Sequence, residues 1–153
     1  MTPYLWIKLL HILSATVLFG TGMGTAFFML KAYLSHNDEA MAVTTRNVVS
    51  ADWVFTAPAV VIQLVTGLWL TKKLSIPFES TWFIVVISLY AFVGACWLPV
   101  VWIQIRIRKL AANGADRGDY KNLMRAWGAL GVPAFSAVIV IFYLMVAKLG
   151  AYG

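Results

Sequence analysis

The sequence predicts an all-α integral membrane protein, a bundle of four transmembrane helices, on three observations. First, 61% of its 153 residues are apolar, 12% are charged, and the mean hydropathy is +0.82. A soluble domain carries about 25% charged residues, so too few charges remain here to build a water-facing surface, and a soluble enzyme is excluded. Second, residues 9–30, 53–71, 80–105 and 126–147 contain no Asp, Glu, Lys or Arg. These runs of 22, 19, 26 and 22 residues match the roughly 20 that cross a hydrocarbon core of ~30 Å as a helix. Third, runs such as Val138-Ile139-Val140-Ile141-Phe142-Tyr143-Leu144-Met145 do not alternate in polarity, which excludes a membrane β-barrel.

The first helix is expected over about residues 4–34. It is too long for a cleaved secretory signal and ends in Phe27-Phe28-Met29-Leu30-Lys31 with no small-residue cleavage site, so it should stay in the mature protein. The polar stretch Ser35-His36-Asn37-Asp38-Glu39 is rich in capping residues, and Met41, Thr44, Thr45, Val48 and Ala51 then recur at helical spacing. The second helix therefore spans about 38–72, enters the membrane near Asp52-Trp53 and stands proud of it. A short loop from Leu74 to Ser80 with Pro77 makes the second and third helices antiparallel neighbours. The third runs over about 80–110, until Asn113-Gly114-Ala115-Asp116-Arg117-Gly118-Asp119 supplies turn chemistry, and the fourth over about 120–149. Neither an internal repeat nor a low-complexity tract divides the chain, so residues 1–153 read as one four-helix domain.

Aromatic residues near the expected boundaries, Tyr4, Trp6, Trp53, Trp69, Trp82, Trp127 and Tyr152, suit interfacial anchoring. The small-residue pairs Gly20 with Gly24 and Gly128 with Gly131 suit close helix approach, within the bundle or between copies. The side holding both termini and the second loop carries Lys8, Lys72, Lys73 and Lys148, whereas the first and third loops carry eight Lys and Arg. An excess of cations marks the cytoplasmic side, so the first and third loops should be cytoplasmic and both termini outside. The net charge of +6 is then explained by anionic lipid of the bilayer rather than by nucleic acid, which is not expected as a partner. The lone Cys96 excludes an intrachain disulfide and any CxxC site, and reads as a packing residue.

Ionisable groups in a membrane are costly, so each demands a reason. Lys8 reaches headgroups by snorkelling. His11, seven residues beyond Tyr4, lies roughly 10 Å down its helix. Lys8, His11 and Ser14 or Ala15 share a face, and Gln63 should lie at a comparable depth on the second helix. Two readings follow: a neutral imidazole hydrogen-bonded to Gln63 or a hydroxyl, or an axial ligand (the metal-binding residue) of b-type haem, with Met145 or His11 of a second copy in the other position. Trp97 and Trp102 flank Pro99, where a kink would open space for a ring or ligand. Asp52 lies level with Arg106, Arg46 and Arg125, which predicts a structural ion pair. His36 is expected in solvent, and with Asp38 and Glu39 it offers too few ligands for a metal.

The strings Leu9-Leu10-His11-Ile12-Leu13-Ser14-Ala15, Ala51-Asp52-Trp53-Val54-Phe55-Thr56-Ala57-Pro58, Thr66-Gly67-Leu68-Trp69-Leu70, Trp97-Leu98-Pro99-Val100-Val101-Trp102-Ile103-Gln104-Ile105-Arg106 and Gly131-Val132-Pro133-Ala134-Phe135 resemble a bacterial family of predicted integral membrane proteins, domain-of-unknown-function family 2269. The resemblance implies a membrane fold over nearly the whole chain and, being bacterial, the inner membrane. The opening Tyr4-Leu5-Trp6-Ile7-Lys8-Leu9-Leu10-His11-Ile12 also looks like the first helix of HemJ-type protoporphyrinogen oxidases and of copper-resistance D-type membrane proteins. That likeness implies haem at His11, but the Pro-Arg pair and second histidine of the HemJ pattern are missing, His36 coming about a turn late. The leading expectation is a small inner-membrane protein that binds haem b through His11, with Lys8, Gln63, Trp97 and Met145 nearby, and works in electron transfer or haem handling. The competing one is a non-catalytic accessory subunit docked onto a larger respiratory or photosynthetic complex, and a small transporter comes third.

Overall fold

A computed structural model of the chain describes residues 2–147. Lys148 of the charge asymmetry, Tyr152 of the aromatic set and the last two residues read into the fourth helix lie outside the described residues. Within them are four long helices and no strand: α1 (Pro3–Leu34), α2 (Asp38–Lys73), α3 (Thr81–Ala112) and α4 (Arg117–Ala147), each long and apolar enough to cross a membrane.

Local chemistry sets the ends. Pro3 occupies the first turn of α1, where a missing N–H costs nothing. The Asn37 side chain accepts from the Ala40 N–H at 2.9 Å and opens α2, and Ser80 Oγ accepts from the Phe83 N–H at 3.3 Å and opens α3. The fourth helix starts three residues before Tyr120 because Asp116 and Asp119 form a capping box. Asp116 Oδ1 accepts from the Gly118 N–H at 2.7 Å, and Asp119 Oδ2 accepts from the Asp116 N–H at 3.1 Å. Gly114, at φ 74°, supplies the left-handed turn before it.

Midway along α2, Asp52–Thr56 forms a π-turn in which the Ala57 N–H bonds to the Asp52 carbonyl, five residues back. Pro58 follows immediately; its ring has no N–H and would clash with the carbonyl four residues before it, and the wider turn relieves both problems. Helix α3 runs unbroken through Pro99.

Packing divides the bundle into two ends. Toward the first and third loops, Met29 and Ala32 of α1, Met41 and Val48 of α2, Ile103 and Ile107 of α3 and Tyr120 and Met124 of α4 form one core. Here the first half of α2 lies against α3. Toward the N-terminus and second loop, α1 packs on the second half of α2 and α3 packs on α4, while the two pairs stand apart. Phe19 of α1 bridges toward α4 by stacking on Phe135, ring centroids 4.9 Å apart.

Two expectations are corrected and one is narrowed. Trp82 is 7% exposed rather than an anchor at the lipid boundary, because its indole N–H donates to the Leu144 carbonyl at 2.8 Å. The small-residue pairs do not mediate helix contacts inside this chain, since a Cβ added at Gly20, Gly24, Gly128 or Gly131 would meet no atom within 4 Å. The third concerns Asp52. It is buried, yet Oδ1 accepts only from Thr56 Oγ1, at 3.0 Å, and Oδ2 has no partner among the described residues, so the expected ion pair does not form. Arg46, Arg106 and Arg125 are all exposed, on other faces of their helices.

Candidate functional site: the His11 cluster and its cleft

His11 projects from the first third of α1 toward α2, where Gln63, Thr66 and Gly67 share a face by their spacing of three and four. Gln63 Nε2 lies 3.1 Å from His11 Nε2, and Thr66 Oγ1 lies 2.9 Å from His11 Nδ1. An amide nitrogen can only donate, so His11 Nε2 is the acceptor and the ring proton sits on Nδ1, which donates to Thr66. Thr66 in turn donates to the Ile62 carbonyl at 2.6 Å. On the other side of the amide, Gln63 Oε1 accepts from Ser14 Oγ at 2.5 Å.

The bonds form a directed chain from Ser14 through Gln63, His11 and Thr66 to the backbone, and every ring nitrogen is satisfied with the imidazole neutral. This is what makes the ring tolerable in an apolar bundle. Gly67 suits the same packing: a Cβ there would sit 3.1 Å from His11 Cε1, so the ring would have to shift by a few tenths of an ångström. Ser14, 5% exposed, and Thr66, 8% exposed, complete a cluster that ties α1 to α2.

The cluster lies in the wall of a half-open cleft between the two helix pairs, with a volume of about 200 Å³. Lys8, His11, Gln63, Trp82, Tyr90 and Met145 are among its lining residues. Lys8 is exposed, its ammonium 6.0 Å from the Tyr4 ring centroid, and Tyr4 lines the cleft as well. Tyr90 Oη donates to the Val60 carbonyl at 2.7 Å and links α3 to α2 across the gap. Four residues singled out in the sequence, Lys8, His11, Gln63 and Met145, thus come together. Trp97, half-buried on α3, does not line this cleft.

His36 is exposed in the first loop, where the Arg117 guanidinium contacts its ring and stacks over Tyr33 at 4.3 Å. No group of three or more His, Cys, Asp or Glu able to hold a metal occurs among the described residues. An axial haem ligand needs a free imidazole nitrogen, and both nitrogens of His11 are engaged. The residues as placed do not fit an iron porphyrin.

Thr66 and Gly67 escaped the reading of the site from sequence, although their spacing from Gln63 was a usable signal. A hydroxyl and a glycine on the face of a helix that carries a buried amide mark where a ring can lie against backbone.

Four apolar helices with few charges define an integral membrane protein. The chain belongs to the family of predicted integral membrane proteins DUF2269, whose family model matches residues 5–149. No curated protein and no solved structure matches the chain. The first-helix likeness to HemJ-type and copper-resistance D-type proteins accordingly has no counterpart among the findings.

Proposed function

We propose that the protein holds a membrane-dissolved ligand in the cleft beside His11, an apolar molecule carrying an acceptor oxygen. The observation that carries this reading is the chemistry of the lining. It is apolar except for a few groups, and His11 consumes only one of the two N–H bonds of the Gln63 amide. The second N–H, together with the Lys8 ammonium at the rim, has no acceptor among the described residues, and a carbonyl or carboxylate oxygen satisfies it. Mostly apolar walls with a few convergent polar groups are the usual makeup of a small-molecule site.

Haem b in electron transfer or haem handling is the second reading. What favours it is that His11 and Met145 line the same cleft from different helices; what it requires is that Gln63 leave Nε2. The accessory-subunit reading places no ligand in the cleft.

Thermal unfolding of the detergent-solubilised protein, with decylubiquinone or palmitate added, tests the proposal. Saturation at 100 times Kd stabilises by about 2.7 kcal/mol, and Val86→Trp, which fills the cleft, abolishes the shift. No shift with either probe contradicts the proposal. A visible Soret band that His11→Ala removes would establish haem instead, and a colourless protein that migrates with a larger complex would favour the subunit reading.

A further inference from the structure

The opposite half of the bundle holds two buried oxygen acceptors with nothing to accept. Asp52 is 5% exposed and its Oδ2 has no hydrogen-bond partner among the described residues; Gln104 is 4% exposed and its Oε1 has none either. A buried polar atom without a partner forfeits its hydration with nothing in return, so two in one region call for an explanation.

The two residues share a level. Counted from the second loop at 1.5 Å per residue, they lie roughly 32 and 35 Å along their antiparallel helices. Gln104 lies among the buried residues Val100, Ile103 and Ile107 of α3, the helix on which the first half of α2 packs, and Asp52, among the buried Val48, Val49 and Thr56, directly follows that half. Asp52 opens the π-turn, a distortion often found at functional positions.

Among the described residues no cation pairs with the carboxylate. The cations that α1, α2 and α3 carry toward the first and third loops, Lys31, Arg46, Arg106, Arg108 and Lys109, are all exposed. Arg106 is directed onto the Trp102 ring, 5.2 Å from its centroid.

We propose that Asp52 and Gln104 form a proton-binding site within the bundle, in which Asp52 is a neutral carboxylic acid whose Oδ2–H donates to Oε1 of Gln104. One proton taken from water forms one O–H bond, removes the buried charge and satisfies both orphaned oxygens. Thr56 continues to donate to Oδ1. The site is independent of the His11 cleft, so either proposal stands if the other fails.

Isotope-edited infrared spectroscopy on the full chain in lipid tests it, with ¹³C at the aspartate side-chain carboxyls. The chain has Asp38, Asp52, Asp116 and Asp119, and all except Asp52 are exposed. At neutral pH the wild type is expected to show an isotope-shifted carboxylic-acid carbonyl band beside the carboxylate bands. Gln104→Leu, which removes the acceptor, moves that band to higher frequency, and Asp52→Asn abolishes it. A wild-type aspartate signal that is wholly carboxylate at neutral pH overturns the proposal without any variant, as does an acid band that Gln104→Leu leaves unmoved.

Discussion

His11 sits where lipid alone would not tolerate it, and Gln63, Thr66 and Ser14 carry the difference. Interhelical hydrogen bonds in membranes are each worth about 0.6 kcal/mol and at most ~1.7. Gln63→Leu removes two of them at once and leaves His11 Nε2 unpaired, while Ser14 keeps its bond to the His11 carbonyl, so a loss of about 1–3 kcal/mol is expected in denaturant titration of the solubilised protein. A loss below a few tenths would mean that the amide does not bond the ring. The pairing of His11 with Gln63 was legible because depth along two helices can be counted from a shared boundary. The bonding of Asp52 was not, because matching by level ignores direction. Arg46 lies six residues away, roughly 240° around the helix at 3.6 residues per turn, so an arginine at nearly the right height faces outward while Asp52 faces inward.

Helix α2 is the element whose detail the sequence hid. Its extent followed from the capping residues and the apolar run, but the π-turn did not, because a single-residue bulge leaves hydrophobic periodicity almost intact over a short window. It sets the register between two faces: Thr45 and Val48 toward α3, and Gln63 and Thr66 toward α1. Deleting one exposed residue inside the turn, Val54, converts it to ordinary α-helix with both faces retained. Deleting Val61, equally exposed but within regular helix, rotates one side of the break by about 100° relative to the other. The Val54 deletion is therefore expected to unfold several degrees above the Val61 deletion in a thermal melt. Equal losses would show that the turn does not set the register. Pro58 was the available sign, being a helix-breaking residue set inside a membrane run.

The molecule as a whole is built tight at one end and open at the other. Met29 and Ile107 are fully buried in the core near the first and third loops, so Met29→Ala is expected to cost about 2–5 kcal/mol. Val86, half-buried on the cleft wall, already borders empty space, and Val86→Ala should cost less than half as much in the same titration. Comparable costs would contradict the division. The four-helix architecture was readable because charge-free runs of membrane length leave few alternatives. The cleft was not, because it arises from two helix pairs standing apart, and helix separation leaves no mark in composition or period.

The most direct measurement is ¹⁵N solid-state NMR of the histidine-labelled protein in lipid, with His11 and His36 the only histidines. For His11 the structure predicts one protonated nitrogen, Nδ1, and an acceptor-type Nε2 bonded to the Gln63 amide. A proton on Nε2, or a resonance displaced or broadened by a bound iron, would contradict the closed hydrogen-bond chain on which the cleft proposal stands.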